Sequence, residues 1–577
     1  MLFRSKKDRL WFFSSGRYQS TNDQIANAFY SDGRPGIQDQ YIKSVSLRMT
    51  WQISPKNKLS AYDNRIFKFK GHEITALQDV GTASLRRDPV LYYVAQAKFT
   101  STVTNKLLFE TGYSSNIENY TNFYQPGIRK ERGTPEWFSN ASRFDRTTGT
   151  RTTAGSINLG NYPERFVASA GTSYVTGSHN FKTGLQWTFG SFVQTRDANA
   201  DLIQEYLNGV PASVSVYNTP TRSLPSLDGD IGIYGQDTWS FKRLTLNAGI
   251  RWDYLRGSIN AQDAPPGRFA PARHYEPISC QTLKGMTCWS SFSPRLGVTY
   301  DPFGTAKTSI RASFGRYVQP ETTGFISTYN PMFQTSERRT WKDTNLDNIA
   351  QDSEIGPSPN ASFGSLAGRR PDPNYQREYN LQYSAGVQRE IVRNVSVTTA
   401  WYRRTAGNLP YADNQVYSLS DWTPVNVISP LNGEVITAYN LNKDKFGLAQ
   451  DIVDINSKDS NTRRNAYTGF ELSTAARLPH RANVFAGWTT ERTVDVNCNN
   501  PDDPNTRRFC DQSTMKVPFR HEYKLAGNLP LWYGFEISGS FTSYAGATVI
   551  SATNPSISLQ TAWNVDRKST RLNSSHG

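Results

Sequence analysis

Apolar and polar positions alternate with a period of two along most of the chain. Val45, Leu47, Met49, Trp51 and Ile53 are separated by Ser46, Arg48, Thr50 and Gln52. Leu244, Leu246, Ala248, Ile250 and Trp252 alternate with Thr245, Asn247, Gly249 and Arg251. Phe181, Thr183, Leu185, Trp187 and Phe189 alternate with Lys182, Gly184, Gln186 and Thr188, and the pattern returns over Leu381–Val387 and Val395–Trp401. A helix would repeat at i, i+3 and i+4; a period of two marks a strand with one apolar face.

The predicted strands form hairpins: 42–54 with 58–69, 90–100 with 107–116, 164–175 with 180–192, and 229–241 with 243–257. Four more follow: 293–301 with 307–317, 377–390 with 394–404, 466–477 with 482–493, and 519–527 with 534–545. An unpaired strand near 9–18 precedes them. The total is roughly seventeen strands, many about ten residues long, the length that crosses a bilayer at a tilt of roughly 45°. The tight connections carry turn residues, as in SPKNK at 54–58, TGSHN at 176–180 and DPFGT at 301–305.

Between hairpins the connections are long, about 19–41, 70–89, 117–163, 193–228, 258–292, 318–376, 405–465 and 494–518. Short and long connections alternate strictly. In an antiparallel meander, alternate connections lie at opposite ends, so one rim carries every short turn and the other every long loop. This is the asymmetry of outer-membrane barrels, and compact soluble domains rarely carry so many long irregular loops. The loops are polar and rich in Gly, Pro, Asn and Asp, and are read as solvated.

Composition narrows the picture. The chain has 577 residues, 37% hydrophobic, yet no apolar run reaches the 18 or so residues of a spanning helix. Aromatic residues at 13% and charged residues at 20% argue against disorder. The formal charge of +15 is scattered apart from Arg4–Arg9, so no nucleic-acid footprint is read. No apolar segment follows Met1, so no signal peptide is read; the chain is either cytoplasmic or has lost its start.

The apolar faces need a covering. The opposite face carries Arg48, Gln52, Lys98, Glu110, Lys182, Gln186, Asn247 and Arg251, polar as a hydrated lumen would be. Lipid outside and water inside fits, and closure would remove edges whose backbone groups hydrocarbon cannot satisfy. Trp187, Trp252, Trp401 and Trp488 each follow a short turn by roughly 6–10 residues and are candidates for an interfacial aromatic girdle. The alternative is the core of a sandwich. Cys280 and Cys288, and Cys498 and Cys510, lie in long connections. Four cysteines allow three connectivities; local pairing, Cys280–Cys288 and Cys498–Cys510, is expected in an oxidising compartment.

Several segments resemble the barrel of TonB-dependent outer-membrane receptors. GIYGQDTWSFKRLTLNAGIRWDY at 232–254 is similar to a hairpin of that family, and FSPRLGVTYDPFGTAKTSIRASFGRY at 292–317 to the hairpin after it. SYVTGSHNFKTGLQW at 173–187, YTGFELSTAARLP at 467–479 and RRFCDQSTMKVPFRHEYKLAGNLPLWYG at 507–534 resemble the Oar-like, carboxypeptidase-regulatory-like subgroup. The resemblance covers about 1–563. It implies an all-β, up-and-down transmembrane barrel in the bacterial outer membrane, with about 17 of a family-typical 22 strands and no plug domain in view. The expected layout is an incomplete barrel over 1–565 and a non-native tail over 566–577. The implied function is uptake of a bulky ligand such as a siderophore or oligosaccharide, driven by a TonB-type inner-membrane protein acting on a plug. The expected partners are outer-membrane lipid, that TonB-type protein and the ligand, with no nucleic acid.

No enzyme site is expected. His72-Glu73 and His521-Glu522 are not part of an H-E-x-x-H motif. Gly229, Gly232 and Gly235 lie on a predicted strand, not before a helix, and do not form a phosphate cradle. Asp502-Asp503 is read as solvated. No catalytic, metal or cofactor residue is named. A structural, adhesive or export-related barrel is the second reading; a secreted propeller is the third, although the regular repeat that it requires is missing.

Overall fold

The computed structural model describes residues 2–6 and 9–545, except 333–334, 361–362, 365–367, 429–432, 447, 449, 500–501 and 516. The tail at 566–577 lies outside the described residues. Seventeen long strands make one antiparallel meander, each paired to the next in sequence. They are β1 (Leu10–Phe29), β2 (Pro35–Ser54), β3 (Asn57–Glu73), β4 (Leu85–Thr102), β5 (Leu107–Tyr124) and β6 (Asn158–Thr176). Next come β7 (His179–Asp197), β8 (Pro225–Phe241), β9 (Leu244–Ile259), β10 (Cys288–Tyr300), β11 (Thr308–Val318) and β12 (Tyr379–Val392). The last are β13 (Val395–Gly407), β14 (Arg463–Arg477), β15 (Asn483–Asn497), β16 (Arg520–Pro530) and β17 (Glu536–Tyr544). A five-residue strand, Leu2–Lys6, pairs with β1.

Two expectations change. The first strand is paired, with β2, from Leu10 opposite Trp51 onward. The connections at 19–41 and 70–89 are not long loops. β1 and β2 run on to Phe29 and Pro35, and β3 and β4 to Glu73 and Leu85. The ladder continues where the hydrophobic pattern stops. Backbone hydrogen bonds need no apolar face, and a ribbon that has left the hydrocarbon has no reason to alternate. Closure is not formed among the described residues: the ladder ends at Leu2–Lys6 on one side and at β17 on the other.

Register assigns the two faces. Trp51 stands opposite Leu10 and Leu59, and Leu59 opposite Phe99. Leu185 stands between Ala170 and Ile233. Trp252 lies between Ile233 and Phe292, Trp401 between Ala385 and Phe470, and Trp488 between Leu472 and Tyr523. Paired residues share a face, so Trp187, Trp252, Trp401 and Trp488 all stand on the apolar one. Among the described residues no second layer covers it: Val45 is 57% exposed, Ile250 55% and Leu296 55%. So large an apolar surface requires a non-aqueous partner. Two of the indole N–H groups are satisfied on that face, by Ser290 Oγ (2.7 Å) for Trp252 and His521 Nδ1 (3.3 Å) for Trp488.

Candidate functional site

The opposite face is the polar wall. All eight residues expected there have its parity, and Lys98 pairs with Glu110 at 2.6 Å. Glycines hollow it. An added Cβ at Gly184 would come within 2.6 Å of the Tyr234 hydroxyl, and one at Gly232 would collide with the Arg251 guanidinium. Tyr234 and Arg251 therefore lie along the wall instead of projecting from it. Arg251 is held there by Asp253 (Nε to Oδ1, 2.6 Å). Lys182, Arg251 and Arg295, with Tyr234 and Tyr317, surround a recess of about 390 Å³. Arg295 stacks over the Tyr317 ring, 4.7 Å from its centroid. The recess offers cations and aromatic faces to a polar ligand. The glycines at 229, 232 and 235 are strand glycines, and Gly232 has this packing reason.

Towards the long-loop rim the polar face closes over. The helix Thr323–Thr328, from the loop between β11 and β12, packs onto β8 and β9. Ile326 meets Ile259, Met286 and Tyr329, while Leu227, Leu255, Trp289 and Tyr375 form an adjoining cluster bridged by Phe325. Burial lifts the Glu321 carboxyl, at the foot of this loop, above the usual carboxylate range, and Arg377 only partly opposes it.

The loops are not separate solvated strings, contrary to the expectation from their composition. Three of them build one five-stranded sheet in the order Ser336–Thr340, Val210–Tyr217, Leu202–Leu207, Ser142–Asp145, Arg151–Thr152. Its core contains Leu202, Val214, Val216, Tyr206 and Trp341, all buried. Arg268, from a fourth loop, donates to Asp352 Oδ1 (2.7 Å) and to the Ala350 carbonyl (2.6 Å). Glu205 accepts from Arg338 Nε (2.5 Å) and Ser213 Oγ (2.7 Å). Burial pushes Glu205 up, but Arg338 and Ser213 outweigh it, and its pKa lies below the ordinary value. A second tie joins the β11–β12 and β13–β14 loops. Asp454 accepts from Arg369 through both oxygens at 3.0 Å and from the Tyr329 hydroxyl at 2.9 Å.

The sequence carried one sign of this cap. Asn208-Gly209 sits between Leu202–Leu207 and Val210–Tyr217, both with positive φ, the preferred two-residue hairpin turn, and Val214 and Val216 alternate with serines. Pairing of Val210–Tyr217 with Ser336–Thr340, more than a hundred residues away, has no local signal. The cysteines join as Cys280–Cys288 and Cys498–Cys510, both at the loop rim. Asp502 is not simply solvated: its Oδ1 accepts the Asn414 N–H at 2.7 Å, and burial raises its pKa.

A polar-lined, lipid-clad meander with one elaborated rim has known counterparts. Residues 14–534 match the outer membrane beta barrel domain family. The chain belongs to that family. It is a bacterial outer-membrane protein, and the apolar face of its barrel wall is the lipid face. No curated protein matches it by sequence. Its fold is similar to that of the outer membrane transporter YddB from Escherichia coli, at TM-score 0.51 and 11% identity, covering 94% of this chain and 67% of that one. It is also similar to the ferric yersiniabactin uptake receptor FyuA from Yersinia pestis, at TM-score 0.52 and 10% identity, covering 96% and 66%. The ferric-catecholate import receptor Fiu from E. coli matches at TM-score 0.50 and 12% identity, covering 94% and 68%. The barrel chain thus spans about two thirds of the length of these neighbours.

Proposed function

We propose that this barrel is the membrane-spanning, ligand-collecting part of a TonB-dependent receptor of the Oar-like subgroup. The observation that carries this reading is a cationic, tyrosine-lined inner wall beneath a mouth built from interlocked loops. Loops fused into one cap present a shaped surface to a bulky ligand, and the wall below is hydrated. Two of the similar folds, FyuA and Fiu, are a ferric yersiniabactin uptake receptor and a ferric-catecholate import receptor, which supports a siderophore or a polar ligand of comparable size. Energy for passage would come from a TonB-type partner acting on a plug. Trp187, Trp252, Trp401 and Trp488 would form the interfacial girdle.

The test is uptake by cells carrying the intact gene. Labelled ferric siderophores and oligosaccharides should accumulate with the gene present and fail to accumulate when either it or the TonB-type partner is deleted. The cap's own core also favours a second reading, a rigid adhesive platform. Unchanged uptake of every ligand together with lost surface attachment would decide for that one.

A further inference from the structure

A cavity of about 720 Å³ lies at the long-loop end of β5, β6 and β7. The β6–β7 register runs without a shift from His179 opposite Thr176 to Asp197 opposite Asn158. Thr195 and Asp197, which line the cavity, therefore stand on the same face as Trp187 and Phe189. They are about 20–26 Å further along the strand than Phe189, beyond the apolar belt.

Two of the cavity's cations are already paired: Arg129 (3.1 Å) and Arg132 (2.7 Å) both hold Asp197, and Arg132 also holds the buried Asp201. Asp263 is taken by His274 at 2.6 Å. Lys130 and Arg222 are different. Among the described residues neither side chain has an ion-pair or hydrogen-bond partner, and both line the space; Arg222 and the neighbouring Glu131 are exposed, and Arg196, also in the lining, donates to Gln194 Oε1 at 2.5 Å. A further donor waits at the base. Asn158 is 3% exposed. Its oxygen accepts the Tyr124 N–H at 2.8 Å, which fixes the amide orientation, and its Nδ2 has no partner. A buried donor without an acceptor is costly.

We propose that this cavity binds a phosphate group carried on a sugar-sized molecule, with Lys130 and Arg222 neutralising it and Asn158 Nδ2 donating to it. The lining carries five cations, Arg129, Lys130, Arg132, Arg196 and Arg222, against three carboxylates, Glu131, Asp197 and Asp263, and that excess suits a doubly charged oxyanion. The volume far exceeds one phosphate, so the group belongs to something larger. Two sources present the same chemistry at this height: a phosphorylated glycolipid of the surrounding leaflet, and a soluble sugar phosphate.

The test uses the chain folded in phosphatidylcholine nanodiscs. Glucose 6-phosphate is titrated calorimetrically, and in a second arm nanodiscs with and without lipid A are compared for co-purified glycolipid. Binding in the first arm identifies a soluble ligand; retention in the second alone identifies the lipid. In whichever arm binds, Lys130→Ala and Arg222→Ala should each weaken it by roughly tenfold or more. Asn158→Asp keeps the Tyr124 bond and replaces the donor by an anion, so it should abolish binding without loss of the folded, heat-modifiable form. The proposal is overturned if neither probe binds, or if binding survives the Lys130→Ala/Arg222→Ala double variant.

Discussion

Leu185 and Gln186 are neighbours in sequence and stand on opposite faces of β7, so one pair of substitutions asks what solvent each face meets. Leu185 is 44% exposed and flanked by Ala170 and Ile233. It lies six residues after His179, about 20 Å along the strand, or about 14 Å above the turn at a tilt near 45°. That is close to the middle of an apolar band about 25 Å tall. Arginine there should cost about 2–4 kcal/mol, lowering the folded-to-unfolded ratio roughly 30- to 1000-fold. Gln186 faces the hydrated wall, where Gln186→Arg should cost within about 0.5 kcal/mol. The assay is guanidinium titration of the chain folded into lipid vesicles, followed by tryptophan fluorescence. Leu185→Arg should lower the midpoint at constant slope, and Gln186→Arg should leave it in place. Equal effects of the two, or recovery of the unaltered protein from buffer without detergent, would refute hydrocarbon as the solvent of the tryptophan-bearing face.

Gly232→Ala should displace the Arg251 guanidinium and its bond to Asp253, at a cost of about 1–3 kcal/mol, read as a lower unfolding midpoint; Gly235, where an added Cβ meets open space, should accept alanine with little change. Replacing Cys498 and Cys510 by serine should release a loop of twelve-residue separation, for which closure is worth about 3 kcal/mol in the unfolded chain. Limited proteolysis should then cut within 498–519 while the wall stays resistant. Glu205 has a lowered pKa, so the stability it gives the cap is present at neutral pH and is lost as pH falls through that lowered value. Amide exchange at Val214 and Val216, corrected for intrinsic rates, should quicken in acid, and Glu205→Gln should remove that dependence. Glu321 has the opposite sign: its raised pKa favours the docked β11–β12 loop at lower pH, and protection of Ile326 should fall as pH rises through that value.

The strands of the wall, their pairing order and the two faces were legible in the sequence, because each is decided locally. Lipid on one side and water on the other impose a period of two on every spanning segment, and a short turn names its own partner. Beyond the hydrocarbon that constraint disappears, and the extended arms of β1–β4 therefore went unread although their ladders persist. The local cysteine pairs follow from proximity in the chain.

Only the tertiary structure decided the rim. Trp341 reaches Leu202 and Tyr206, Arg268 reaches Ala350, and Asp454 gathers Arg369 and Tyr329, across separations that leave no periodic trace. These loops meet because the wall brings its strand ends side by side, and the contacts depend on that juxtaposition rather than on any residue's neighbours in sequence. The hollow behind Arg251 and the cavity of Lys130, Arg222 and Asn158 have the same origin. Alternation can say which face of the sheet a side chain takes, but what it meets there depends on the strand beside it.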